Sequence, residues 1–313
     1  MMRALHSNTG NLELKQGLEM PTNGKSTVKV RVHYASLNPT DLDILKGDLD
    51  LFFWLYRVKS PVRTGLEFSG TVVEGDARFG AGTKAFGYTH LLKGPKTHQD
   101  VITIPSDYIA EMPSTMSFAQ AAAFPLGAQT SLVALRDVAR LKQGQSVLIL
   151  GGSGGLGVYA IQIARNMGLS VTGVSGPDGL ATMKSLGADR VINYRETPLA
   201  EITGPYDAVL DLSARYRLRD IRHLLSPTGI FVPADPMKNI PSLLTNPLRK
   251  KKTGYLLVDH GNQDKLTELA GMIADGTFVA GPYRTFSFED HDAAFATLTE
   301  PGQIGRTVLD MAA

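Results

Sequence analysis

Gly152, Gly154 and Gly157 form a G-x-G-x-x-G within GGSGGLG (151–157), directly after the apolar run Val147–Leu150 and directly before LGVYAIQIARNMG. Between a strand and a helix, the first glycine permits a tight turn, the second lets backbone approach a pyrophosphate, and the third lets the helix pack closely. The helix N-terminus adds free N–H groups and a partial positive charge. The spacing therefore predicts a dinucleotide site built from Gly152, Ser153, Gly154, Gly155, Leu156 and Gly157. An NAD-preferring site carries Asp or Glu at the end of the next strand, about 20 residues past the fingerprint. Here that strand ends Thr172-Gly173-Val174-Ser175, followed by Gly176 and Pro177. A small hydroxyl leaves room for a 2′-phosphate with no like charge against it, which predicts NADPH; Asp178, just beyond, could still take the acid's part. Lys184, supported by Arg195, is the cation expected to face the phosphate, though such a side chain is more often a solvated charge than a ligand.

A nicotinamide carries its own redox chemistry, so the protein has only to place its C4 against the substrate and stabilise developing oxyanion charge. A metal is not required. The chain has no cysteine, and its seven histidines, His6, His33, His90, His98, His223, His260 and His291, include no H-E-x-x-H or other tight ligand pair. Neutral donors are available in Ser36-Leu37-Asn38-Pro39-Thr40-Asp41. Asn38 can donate through its amide, and Asp41 either orients a partner or caps a helix over Leu42–Leu45. Tyr56, in LFFWLYRV, and Tyr88, in FGYTH, are phenols that could donate to an enolate or quinone oxygen, or serve as pocket wall or core. Leu51–Tyr56 is apolar enough to be either a lid over a flat substrate or buried core.

Around these residues the texture changes twice. Residues 3–110 alternate short apolar runs (Thr27–Tyr34, Ser69–Glu74, Thr83–Gly87, Val101–Pro105) with Gly, Pro and Asn, and read as antiparallel, barrel-like β structure. Ser117–Arg140 reads as two helical segments interrupted near Pro125 and Gly127. A β/α repeat follows, with strands at Val147–Leu150, Val171–Val174, Arg190–Asn193, Ala208–Leu212, Ile230–Val232 and Tyr255–Val258, predicting a parallel sheet covered on both faces. The expected division is 1–120, 121–265 and a tail, 266–313, that returns to the first domain. Balanced charge, 32 Lys and Arg against 30 Asp and Glu, gives no electrostatic case for nucleic acid or an anionic membrane, and neither is expected as a partner. No apolar run approaches the roughly 20 residues of a membrane span. Arg249–Lys252 (RKKK) reads as a solvated loop, and MMRALHSNTG lacks an apolar signal core, so the cytoplasm is the expected location.

Taken in order, the motifs resemble a zinc-independent medium-chain dehydrogenase/reductase of the quinone oxidoreductase type. They are SLNPTD (36–41), TGLEFSGTVVEG (64–75), AAAFPLGAQTSLVAL (121–135), VLILGGSGGLG (147–157), LGADRVINY (186–194) and a closing FSFEDHDAAF…GRTVLDM. The resemblance implies an α/β protein in which a Rossmann-type, doubly wound parallel sheet accompanies a GroES-like, β-rich catalytic domain. It implies that Asn38 lies in the active-site region, that Thr130 approaches the nicotinamide, that Lys184 and Tyr194 surround the 2′-phosphate, and that the protein forms a homodimer. Zinc-dependent relatives carry a cysteine ligand where Asn38 stands and a histidine at Leu66 of Gly65-Leu66-Glu67. The chain departs from the family's Gly-Gly-x-Ala-Glu at Gly94–Asp100, and Arg306 stands for the basic residue of the closing G-x-K. The implied activity is NADPH-dependent reduction of a quinone or of the C=C bond of an enone or enal. Hydride goes to the β carbon, and neutral donors hold the enolate until a tyrosine or water protonates it. A cofactor sensor or scaffold with little turnover is the reading from another class.

Overall fold

Val28, Val30 and Val32 alternate with Lys29 and Arg31, and this period of two buries one face of the strand Thr27–Leu37. That strand is the middle of a seven-stranded sheet in the computed structural model, which describes residues 1–8, 10–58, 62–235 and 237–312, the side chain of Asn8 excepted. By internal contacts the chain divides into two units, Met1–Leu126 with Asp259–Pro301 and Arg306–Ala313, and Gly127–Val258 with Gly302–Gly305.

In the first unit the sheet runs Tyr283–Ser287, Arg306–Asp310, Thr27–Leu37, Glu67–Glu74, Lys84–Tyr88 and Ile109–Glu111, with Val101–Pro105 also pairing Thr27–Leu37. The two tail strands pair in parallel, and Arg306–Asp310 lies antiparallel to Tyr34–Leu37, so the tail returns to the N-terminal sheet. Phe68, Ile102, Ile104, Phe288 and Leu309 meet in its core. A hairpin, Met2–Asn8 with Asn11–Leu18, forms a separate three-stranded sheet with Val62–Arg63.

The second unit holds six parallel strands in the order Arg190–Asn193, Ser170–Ser175, Ser146–Leu150, Tyr206–Asp211, Leu225–Pro233 and Lys252–Thr253. Numbered along the chain this is 3-2-1-4-5-6, the order of a dinucleotide-binding sheet. Val147–Leu150 is buried at every position, as a central parallel strand must be. The expected α/β architecture is therefore the observed one. One element differs: Tyr255–Val258 is not a strand. The ladder's last pair is Phe231 with Thr253, Gly254 N donates to Phe231 O, and among the described residues Tyr255, Leu256 and Leu257 alternate exposed and buried outside any strand. Alternation reports a half-buried extended segment, and only the sheet can supply its partner.

His98 closes a seam in the first unit. Fully buried, its Nε2 donates to Ser36 O at 3.1 Å and its Nδ1 accepts from Thr64 Oγ1 at 2.8 Å. Burial pushes its pKa below the ordinary 6.5. A histidine held neutral in the folded state contributes its full stability above that value and loses it as pH falls below, because only the unfolded chain takes up the proton. Replacing it by glutamine (His98→Gln) should cost about 1–2 kcal/mol at neutral pH. It should also flatten the decline in stability towards about pH 5, measured by denaturant titration at each pH.

Candidate active site

The C-terminal ends of the central parallel strands open onto a cleft of about 320 Å³ in the second unit, with Ser153, Gly154, Ser175, Tyr194, Arg215 and Tyr216 among its lining residues. This is the topological switch point of the sheet, where open α/β folds bind ligands. The backbone turns at Gly151, whose φ is +83°, and the amides of Gly151 and Gly152 both donate to Val174 O at 3.0 Å. The tight turn expected at Gly152 therefore belongs to its neighbour; Gly152 instead makes room for Met183, whose Sδ would lie 2.5 Å from a Cβ there. At Gly157 a Cβ would sit 2.2 Å from Gly151 O, so the helix Gly157–Asn166 can start only with glycine. Gly154 differs from both: nothing lies nearer than Gly151 O at 3.5 Å, and the missing side chain leaves the backbone open to the cleft. That cradle, at the positive end of a helix, fits a pyrophosphate.

The wall opposite is shaped by a carboxylate. Asp211, fully buried at the end of its strand, accepts from Ser213 N at 3.1 Å, Ser213 Oγ at 2.6 Å and Tyr216 N at 2.7 Å. It folds residues 212–216 into the loop that brings Arg215 and Tyr216 to the cleft. Ser175 and Tyr194 both line this cleft, with Tyr194 Oη 3.3 Å from where a Cβ on Gly176 would be. Lys184 and Arg195 do not line it. Lys184 Nζ donates to Asp189 O at 2.9 Å, and Arg195 is exposed beyond its strand. Thr130 is buried on the helix Pro125–Leu132; the neighbouring Ser131 hydroxyl lies 2.8 Å from Gly127 O and 2.9 Å from Leu156 O, tying that helix to the glycine turn. Arg215 is the cation that sequence reasoning passes over. Its one signal is its position just past the fourth strand of the repeat, on the far side of the switch point.

The first unit gathers Asn38, Asp41 and Tyr88 with two residues not expected in the site, Glu67 and Arg306. Glu67, with no exposed surface, accepts from Arg306 Nη2 at 3.1 Å, from Leu126 N at 2.9 Å and from the Ser36 hydroxyl. Burial pushes its carboxyl pKa up, against the opposing pull of the guanidinium and the Ser36 hydrogen bond. Arg306 Nη1 donates to Asn38 Oδ1, the Asn38 amide also lies against the Glu67 carboxylate, and Arg306 Nε is a buried N–H group without an acceptor. Asp41 caps: its Oδ2 accepts from Asn38 N at 2.8 Å at the start of the helix Pro39–Lys46, and its Oδ1 accepts from Gly65 N at 2.6 Å. Tyr88 is buried, and desolvation together with the Glu67 charge raises its phenol pKa. Tyr56 stands apart. It is 47% exposed at the end of the helix Asp50–Leu55, with Lys93 Nζ 4.9 Å above its ring. Of the stretch 51–56 only Phe53 is buried, so core accounts for one residue and leaves Trp54 and its neighbours as exposed apolar surface. Among the described residues no group of three or more His, Cys, Asp or Glu could hold a metal ion.

Two family models match the chain, the alcohol dehydrogenase GroES-like domain over residues 24–125 and the zinc-binding dehydrogenase over residues 186–309. The chain is 30% identical over 274 residues to the polyketide synthase GfsB of Streptomyces halstedii, a match taking in 83% of this chain but only 5% of that protein. It is 27% identical over 312 residues to the 2-methylene-furan-3-one reductase of Solanum lycopersicum, covering 95% of this chain and 75% of the relative. Among solved structures, the quinone oxidoreductase from Coxiella burnetii matches with a TM-score of 0.88 at 27% identity, over 99% of both chains.

Two glycine variants should separate folding from binding. Gly157→Ala forces a Cβ against Gly151 O and should cost more than about 2 kcal/mol of stability. Gly154→Ala meets no wall and should stay within about 0.5 kcal/mol of the parent yet weaken dinucleotide binding, measured by calorimetry. Arg306→Met strands a buried carboxylate and should cost about 3–5 kcal/mol, most of it recovered in the Glu67→Gln/Arg306→Met double variant.

Proposed function

This chain belongs to the zinc-independent, quinone oxidoreductase-like family of medium-chain dehydrogenases/reductases, and we propose that it is an NADPH-dependent reductase of quinones or of the C=C bond of α,β-unsaturated carbonyls. It is an oxidoreductase, and its family works with a nicotinamide cofactor. The observation that carries the choice of NADPH is the wall of the cleft formed by Ser175, Tyr194 and Arg215. Among the described residues no carboxylate lines the cleft, although Asp178 stands beside Gly302 at its edge; the Tyr194 phenol offers a neutral donor, Ser175, whose hydroxyl donates to Gly176 O, keeps the strand end free of charge, and Arg215 supplies the matching charge. The cradle at Gly151–Gly157 takes the pyrophosphate.

Bound NADPH supplies a hydride from its nicotinamide C4. In the first unit, the developing enolate or hydroquinone oxygen falls to the Asn38 carboxamide and the Arg306 guanidinium, whose Nε is a buried N–H group left without an acceptor. Unpaired buried donors are costly, and a site that needs them for a charge formed during reaction gives that cost a use. Glu67 holds the guanidinium and Asp41 holds the backbone of Asn38, so both donors are fixed before substrate arrives. Tyr88, its pKa raised, keeps its proton, and the final proton comes from water.

The test is NADPH consumption, followed by absorbance, with benzoquinone, naphthoquinone, a short enal and a cyclic enone, and NADH in parallel. Turnover with one acceptor class is expected; saturable NADPH binding without turnover on any acceptor would overturn the reading. Ser175→Asp and Arg215→Ala should each raise the KM for NADPH about tenfold, the worth of one charge-assisted contact, and change that for NADH little. Equal changes for both cofactors would remove the phosphate from this wall.

A further inference from the structure

Between Asp235 and Asp259 the sequence holds five Lys or Arg and no Asp or Glu, leaving 27 cations against 30 anions in the rest of the chain. The near-neutral total therefore conceals a local concentration of positive charge. It coincides with apolar exposure. Leu248 is 89% exposed, Leu244 76% and Met237 60%; Ile240 lies one helical turn before Leu244 on the helix Ile240–Leu244, on the same face. A solvated loop accounts for the charges of Arg249–Lys252, but it gives no reason for leucines in water.

The segment is held in place. Asn246 grips Thr253 at both backbone groups, its Nδ2 donating to Thr253 O at 2.6 Å and its Oδ1 accepting from Thr253 N at 2.8 Å, which closes residues 246–253 into a loop. Lys251 then turns inward, its Nζ donating to Leu225 O at 2.7 Å and Arg222 O at 2.9 Å. With that lysine used as an anchor, Leu248, Arg249, Lys250 and Lys252 are left facing solvent. Leu248, Arg249 and Lys250 line a groove with Arg222. Leucines beside unpaired cations complement one kind of surface, where anionic headgroups lie over hydrocarbon. A nucleic acid would take the cations and leave the leucines in water.

We propose that residues 237–252 dock this protein reversibly on membranes rich in anionic phospholipid. The test is co-sedimentation of the full chain with phosphatidylcholine vesicles that contain or lack phosphatidylserine. Binding to the anionic vesicles alone is expected, released as salt shortens the screening length from about 10 Å at 0.1 M to about 3 Å at 1 M. Lys250→Ala/Lys252→Ala should reduce partition about fivefold per cation removed, and Leu244→Ser/Leu248→Ser should weaken it as well. Both variants should keep the parent's thermal midpoint and its NADPH binding. Three outcomes overturn the proposal. One is no preference for anionic vesicles, and another is loss with the lysine variant alone, which marks a polyanion site. The third is a monomer–dimer equilibrium that moves with the leucine variant while vesicles go unbound, which would put a second copy on this face.

Discussion

The ion pair between Glu67 and Arg306 is the constraint on which the first unit depends. The two residues are 239 positions apart, both are buried, and between them they take in Ser36, Asn38 and the amide of Leu126. One carboxylate thus joins the end of the central strand, the start of the first helix, the start of the helix at Pro125 and the returning tail. Desolvating two charges consumes most of what their attraction returns, so the pair adds little net stability. Its value lies in geometry. Either partner alone would be an uncompensated buried charge, and every register that separates them is penalised by several kcal/mol.

Around that pair, polar residues hold backbone rather than exposing themselves. Asp41 uses one oxygen on Asn38 N and the other on Gly65 N, and His98 spans Ser36 and Thr64 with its two nitrogens. The second unit applies the same economy at its cleft. Asp211 folds the loop bearing Arg215, and the Ser131 hydroxyl fixes a helix against the glycine turn. Each site is fixed by buried acceptors whose lone pairs are filled by main-chain or hydroxyl donors, which leaves the outward groups free for a ligand.

Much of this was legible in the chain. The strand at Thr27, the parallel repeat and the glycine turn follow from periods of two residues and from the spacing of glycines, both local properties. The limits are equally physical. Tyr255–Val258 has a strand's alternation but lies past the last hydrogen-bonded pair of the sheet. The type and position of Asp41 suit both a cap and an orienting group, and only the fold brings Gly65 N to its second oxygen. Lys184 has the right charge near the right strand, yet it does not line the cleft, and one of its N–H groups donates to Asp189 O.

The sequence by itself determined that this is a two-part α/β protein with a dinucleotide turn and no acid at the second strand end, because each of those features is set within a few residues along the backbone. Only the tertiary structure decided which cation stands at the cleft and which base partners Glu67. Arg215 reaches the cleft because Asp211 folds its loop, and Arg306 reaches Glu67 because the tail strand pairs antiparallel to Tyr34–Leu37. Such contacts join residues distant in the chain, and their geometry is fixed by packing and register rather than by residue type.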